Sequence, residues 1–381
     1  MHCQFISSIN DIDAIIWNQL SGIDYPFLRH EFFAALENSG STTKETGWEP
    51  HHLLINEGDE VIAVMPLFLK YHSYGEYVFD WAWADAFHRN GYEYYPKLLN
   101  AIPFTPATGP RWAISKNVDL QIVTEFLFNA IEQEVTQLKL SSTHVLFVDK
   151  KDSAFFDEKK YLKRTGCQYH WLNKDYQNFD QFLETFTSRK RKNLKKERQK
   201  VVDQDITLTL KTGSEITAND WHHFYLFYHL TYFKRSGRQG YLTEAFFPLL
   251  TEHLTEHLVM VQATKDGEII AASLCFKDSK VLYGRYWGCS DEYDHLHFEA
   301  CYYQGIEYAI ANNIQRFDPG AQGEHKIQRG FTPIPTYSYH RIENPSFEDA
   351  IRRFIDVETD EIAAYIKQAS ERLPFKLEQK N

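Results

Sequence analysis

The stretch LVMVQATKDGEIIAASLCFKDSKVLYGRYWGC, residues 258–289, decides how this chain is read. Three apolar runs of strand length are separated by Lys265-Asp266-Gly267 and Lys277-Asp278-Ser279, short polar segments of the kind that turn a hairpin. The next stretch, HFEACYYQGIEYAIANN (297–313), has helical spacing, and IQRFD (314–318) is a short apolar strand. Three strands, a helix and a further strand make a mixed α/β unit. Beyond it, Asp318-Pro319-Gly320 opens a loop holding Glu324-His325-Lys326 and Arg329-Gly330-Phe331. Glycine permits sharp bends and close approach, and Glu, His and Lys move protons or hold anions.

The same order is found upstream. Residues 11–40 have helical spacing, and HHLLINEGDEVIAVMPLFLKYH (51–72) reads as two strands joined at Glu57-Gly58-Asp59. A Pro/Gly-punctuated segment, an amphipathic helix over 120–138 and the short strand THVLFVDK follow. In the second half QYHWLN and ITLTLK are strands, and helices are expected at 178–186, 188–202, 217–235 and 243–257. A charged helix runs from 345 onward. The expected division is 1–150, 151–345 and a helical brace over 346–381, with an α/β (α+β) fold of mixed sheets in both larger parts.

Bulk composition agrees with a two-domain globular protein: 381 residues, 43% apolar and 24% charged. A net charge of −11 disfavours general nucleic-acid binding. The first ten residues, MHCQFISSIN, lack the basic and apolar regions of a signal peptide, and no run is long enough to span a bilayer. Five scattered cysteines without a C-x-x-C pair give no zinc site or disulfide framework, so the cytoplasm is the expected compartment.

The basic helix with its following strand, SRKRKNLKKERQKVVDQDITL (188–208), and the string from YGRYWGCS through HFEACYYQGIEYAIANNIQRFDPGAQG to RGF resemble the GNAT N-acetyltransferase fold and the Fem-type aminoacyltransferases, which carry two such domains. DYPFLRHEFFAALENSGS, TGWEPHHLL, LKYHSYGEYVFDWAWADAF, YYPKLLNAIPFTPATGPR and GRQGYLT extend the likeness over nearly the whole chain. On these strings it is identified as a member of the FemAB-like predicted N-acyltransferases. The resemblance implies tandem GNAT-like domains and transfer of an acyl or aminoacyl group to an amine. The donor would be acyl-CoA or aminoacyl-tRNA as co-substrate, with no tightly bound cofactor and no metal. The acceptor would be a small molecule or peptidoglycan precursor, with tRNA a further partner and oligomeric state open. Arg285-x-x-Gly288-x-Ser290 matches the family's diphosphate cradle only in part. A catalytically silent protein recognising cell-wall fragments is the alternative.

Candidate residues follow from what amine acylation requires: a proton acceptor, an oxyanion stabiliser and a positioned donor. Glu299, His297, Asp318 and His325 are the expected proton carriers. Arg285, Lys326 and Arg329 are the expected anion holders, and Trp287, Tyr302, Tyr303, Gln322 and Glu324 line the substrate. The plain alternatives are a helix-end charge for Glu299, a core or capping role for His297, and a solvated turn for the loop residues. In the first half, alternation in HSYGEYVFDWAWADAF reads as a two-faced strand. One face is core or an aromatic groove for sugar or peptide, with His72, Tyr74, Glu76, Asp80, Trp81, Trp83 and Asp85 at it. The basic run 188–200 is either a solvated face or a polyanion contact.

Overall fold

The computed structural model describes residues 1–321 and 323–376. Its chain divides into two compact units, one of Met1–Cys167 with Pro335–Ala364, the other of Gln168–Ile334 with the chain from Tyr365 onward. The expected boundaries at 150 and 345 are therefore displaced. Residues 335–364 fall in the first unit because their apolar side chains are used there: Tyr339 stacks on Phe156 at 4.4 Å, and Ile351 and Ile355 pack with Trp83 and Phe87.

In the first unit His2–Ile6, His52–Glu57, Glu60–Met65 and Ala113–Ile114 form an antiparallel sheet. The hairpin expected at Glu57–Asp59 is present. A second set pairs Trp48–Pro50, Phe68–Lys70, Lys97–Asn100 and Ser142–Leu146, the last two in parallel. Helix Leu120–Gln137 starts where the Asp119 carboxylate accepts the amides of Gln121 and Ile122. Val123, Leu127, Ile131 and Val135 then form one buried stripe. Residues 11–40 form two short helices, Ala14–Ser21 and His30–Asn38, because Gly22 turns at φ 75° and Pro26 starts a separate turn.

In the second unit the strand order is Thr207–Thr212, Leu258–Lys265, Glu268–Lys277, Val281–Cys289, Arg316–Asp318, then the end of Leu162–Leu172. The three strands of the opening stretch are antiparallel as read, and Val281–Cys289 pairs in parallel with Arg316–Asp318. A parallel pair needs a crossover, which the helical run 296–311 supplies. Helix Ala218–Ser236 begins at a Thr217/Asp220 capping box and ends at Gly237 in the left-handed region. It crosses the sheet at Gly288, where a β-carbon would come within 2.2 Å of the Phe227 backbone.

Two elements differ from the reading. Residues 81–89 are a helix, not a strand: Trp83 and Phe87, four apart, are buried, while Trp81 faces solvent. Strand Thr332–Ile342 lacks a clear signal because Pro333 and Pro335 interrupt it. Among the described residues no helix is long and apolar enough to cross a membrane.

Candidate functional site

The loop after Arg316–Asp318 is built from the strand end outward. Asp318 is 1% exposed, accepts the Gly320 amide at 2.9 Å, and pairs with the Arg285 guanidinium at 2.8 Å. Burial alone would raise its carboxyl, but Arg285, His170 and the amide hold it well below the usual range. Asp318 and Arg285 thus neutralise each other, and neither is the open proton carrier or anion holder expected of it. Lys326 is likewise occupied: its buried ammonium donates to the carbonyls of Gly320 at 2.8 Å and Pro319 at 3.2 Å. Burial pushes it down to about 8.

Residues Glu324–Arg329 form a 3-10 turn that places its side chains apart. Glu324 points to the C-terminal helix, accepting from Tyr365 at 2.9 Å and Arg372 at 3.0 Å. Arg329 donates to Glu197 at 2.9 Å and to the His325 carbonyl at 2.7 Å, and lies 3.4 Å over the Phe298 ring. His325 turns the other way. Its Nε2 shares a hydrogen bond of 2.8 Å with Tyr302 Oη, and its ring lies near those of His297 and Phe298. His297 in turn packs on Trp287 at 5.4 Å. Burial pushes His325 down to about 4 and His297 to about 3, with neighbouring positive charge adding to both. Both imidazoles are therefore neutral at pH 7. Burial pushes the Tyr302 phenol far up, so its proton stays on oxygen.

Glu299 is 4% exposed, and Arg198 grips it with two bonds of 2.7 and 3.0 Å while Gln304 adds a third of 2.9 Å. This expected proton acceptor is thus a buried anion tied to a guanidinium. Arg198 also binds Glu307 at 2.7 Å. These residues line a cleft of about 540 Å³ beside helix Ser188–Val202. Glu299–Tyr303 is a π-helical turn, a distortion common at functional positions. It buries Tyr302 and Tyr303 side by side, the latter donating to Glu197 at 2.5 Å.

The partial diphosphate motif does not fit a diphosphate here. Arg285 is bound to Asp318, Gly288 is filled by helix Ala218–Ser236, and the Ser290 backbone bonds Ile270 and Lys234. Gln322 lies outside the described residues.

The first-half candidates gather in the first unit. Glu76 and Asp80 flank the buried ammonium of Lys97 at 2.9 and 2.5 Å. Tyr74 and Trp81 are exposed and 4.8 Å apart, with His72 against Tyr74. Trp83 is buried under His340, and Asp85 pairs with Arg89 on the helix surface. Trp83 and Asp85 are therefore not lining residues. On the basic helix, Lys195 and Lys200 pair with Asp180 and Asp294. Arg189, Lys192 and Lys196 share an exposed face and form no ion pair among the described residues.

Sequence reading missed Arg198 and Glu197, hidden in a run that looked like solvated charge. It also missed Lys70 and the His144–His340 pair, which lie on strands with no local motif.

A family model described as peptidoglycan biosynthesis/recognition, FemAB-like, matches residues 8–377. The chain belongs to the FemAB-like family. Three solved structures share its fold at low identity. FemX has a TM-score of 0.52 and 11% identity, covering 92% of this chain and 100% of its own. The C-terminal domain (DUF2156) of a lysylphosphatidylglycerol synthetase from Agrobacterium fabrum has 0.54 and 9%, covering 90% and 96%. L-PGS from Bacillus licheniformis has 0.50 and 12%, covering 85% and 96%. No curated protein matches. The FemAB-like chain thus has a tandem GNAT-like fold with a C-terminal helix.

Proposed function

We propose that this FemAB-like protein is an N-acyltransferase that passes an acyl or aminoacyl group to an amine, with a peptidoglycan-related precursor as acceptor. One observation carries the reading: the neutral His325 imidazole, bonded to Tyr302 Oη at 2.8 Å, in the loop after the last strand of the second-unit helix crossover. When Nε2–H donates to Tyr302, Nδ1 keeps a lone pair. As the amine nitrogen attacks the acyl carbon, that lone pair takes the ammonium proton, and the leaving group departs with the donor's bonding electrons. Tyr302 fixes the ring by its hydrogen bond, and the His297 and Phe298 rings pack against it at 6.1 and 5.5 Å. Acyl-CoA and aminoacyl-tRNA are the two donor classes.

The test is a transfer assay with radiolabelled acyl-CoA and charged-tRNA panels against amine acceptors. His325→Ala should lower kcat/KM by about 10²-fold or more, the range of a general base. Tyr302→Phe should fall between it and wild type. Unchanged transfer by His325→Ala on a substrate the wild type uses refutes the assignment.

A further inference from the structure

Residues 72–80 of the first unit have no regular secondary structure, yet His72, Ser73, Tyr74, Glu76, Phe79 and Asp80 are tied down. His72 Nε2 bonds the Thr46 carbonyl at 2.9 Å, and its Nδ1 accepts the Tyr74 amide at 3.2 Å. The Tyr74 carbonyl accepts from Trp48 Nε1 at 3.2 Å and from Lys70 Nζ at 3.4 Å. Lys97 Nζ reaches Ser73 at 3.0 Å, Glu76 at 2.9 Å and Asp80 at 2.5 Å. Arg164 holds the Phe79 carbonyl at 2.8 Å. Lys70, Lys97, Glu76 and Asp80 are all at most 3% exposed, so this is a costly arrangement of charge.

What that scaffold presents is three aromatic rings. Tyr74 is 38% exposed, Phe79 48% and Trp81 39%, against near-complete burial of the groups beneath. The Tyr74 and Trp81 rings stand 4.8 Å apart at 58°, forming an open notch. Leaving large rings in water forfeits their burial free energy, and fixing them there serves packing of something from outside. A rigid irregular segment carrying exposed rings is where ligand contacts are expected.

The charge around the notch narrows the ligand. Every carboxylate between 72 and 89 is engaged, Glu76 and Asp80 by Lys97 and Asp85 by Arg89. An ammonium ligand held by aromatic faces gains most from a nearby unpaired anion, and none is present in this segment. Burial also brings Lys70 down to about 6 and Glu76 up to about 7, so the cluster carries little net charge at neutral pH. The fitting ligand is uncharged, with an apolar face for the rings and a polar rim that stays in water.

We propose that Tyr74 and Trp81 form a saccharide-binding notch in the first unit, independent of whether the His325 site is catalytic. A pyranose ring, whose C–H face is apolar and whose edge is hydroxylated, has this chemistry.

The probe is chitotriose, with cellotriose as a second neutral saccharide and tetramethylammonium as a cationic competitor. Saturation-transfer NMR and calorimetry on the full chain should detect binding of at least one saccharide. Trp81→Ala and Tyr74→Ala should each weaken it about tenfold or more, an aromatic contact's worth of affinity. Trp81→Phe should recover part of the loss, and His325→Ala should leave affinity unchanged. Circular dichroism and thermal melts confirm that the variants, all at exposed positions, are folded. The proposal is overturned if neither saccharide binds, if Trp81→Ala binds as wild type does, or if tetramethylammonium displaces the saccharide.

Discussion

The imidazole of His325 rests on the α-carbon of Gly323: a β-carbon there would lie 2.5 Å from His325 Cε1. Gly323 also has φ 122°, a backbone conformation that side chains disfavour. Gly323→Ala should therefore act at a distance of two residues, turning the ring away from Tyr302. Its expected signature is a fall in transfer activity with a stability loss of about 1–3 kcal/mol. Ring reorientation is read from the His325 resonances by NMR, and an unmoved ring with full activity contradicts it.

Glu299 and Arg198 give the opposite kind of prediction. Removing the guanidinium in Arg198→Met leaves a buried carboxylate without its partner, costing about 3 kcal/mol or more in thermal or urea unfolding. Glu299→Gln keeps a hydrogen-bonding side chain of the same size and should cost less. Activity per folded molecule should survive Glu299→Gln, whereas a Glu299 that received the amine proton would lose it.

Stability should decline with acid through the pair His144 and His340, whose Nδ1 atoms meet at 2.6 Å in the first-unit core. Burial lowers His144 from an ordinary value near 6.5 to about 3, and lowers His340 well below its own. The unfolded chain then binds more protons than the folded one, so folding free energy is fully present above about pH 6.5 and falls as pH drops toward 3. Each histidine contributes a slope of about 1.4 kcal/mol per pH unit. Melting curves between pH 7 and 4.5 measure it. A His144→Gln, His340→Gln variant that keeps the wild-type slope contradicts it.

Gly288→Ala tests how the second unit is packed. The added methyl meets the Phe227 and Tyr228 backbone, which cannot rotate away as a side chain would. A loss of about 1–3 kcal/mol is expected in chemical unfolding, with helix Ala218–Ser236 showing faster amide exchange. An unchanged midpoint would mean the helix is free to shift.

Much of the fold is legible in the sequence because its strands and helices have local signals. The meander 258–289, the hairpin at Glu57–Asp59 and helix Leu120–Gln137 follow from period and turn residues alone. The aromatic segment 81–89 is misread since Trp and Ala alternate along a helix as they would along a strand; only the burial of Trp83 and Phe87 separates the two. The site is less legible for a different reason. Sequence picks residue types able to carry protons or charge, and pairing then removes most of them. Asp318 is held by Arg285, Glu299 by Arg198, Lys326 by loop carbonyls, and Arg329 by Glu197. Apart from the loop carbonyls, those partners lie tens of residues away, where spacing carries no information. His325 keeps its place among the candidates because its own partner is a neutral phenol.

The π turn at Glu299–Tyr303 holds one residue more than an α turn, and the surplus is taken up as a local bulge. Deleting one residue within it would close the bulge to a regular α-helix and leave Ile306, Ala309 and Ile310 of Gln304–Ala311 still facing the core. The cost falls on the turn itself, where the widened spacing sets Tyr302 against His325 and Tyr303 against Glu197. A shortened chain would therefore keep the packing of this helix and lose the placement of its two phenols.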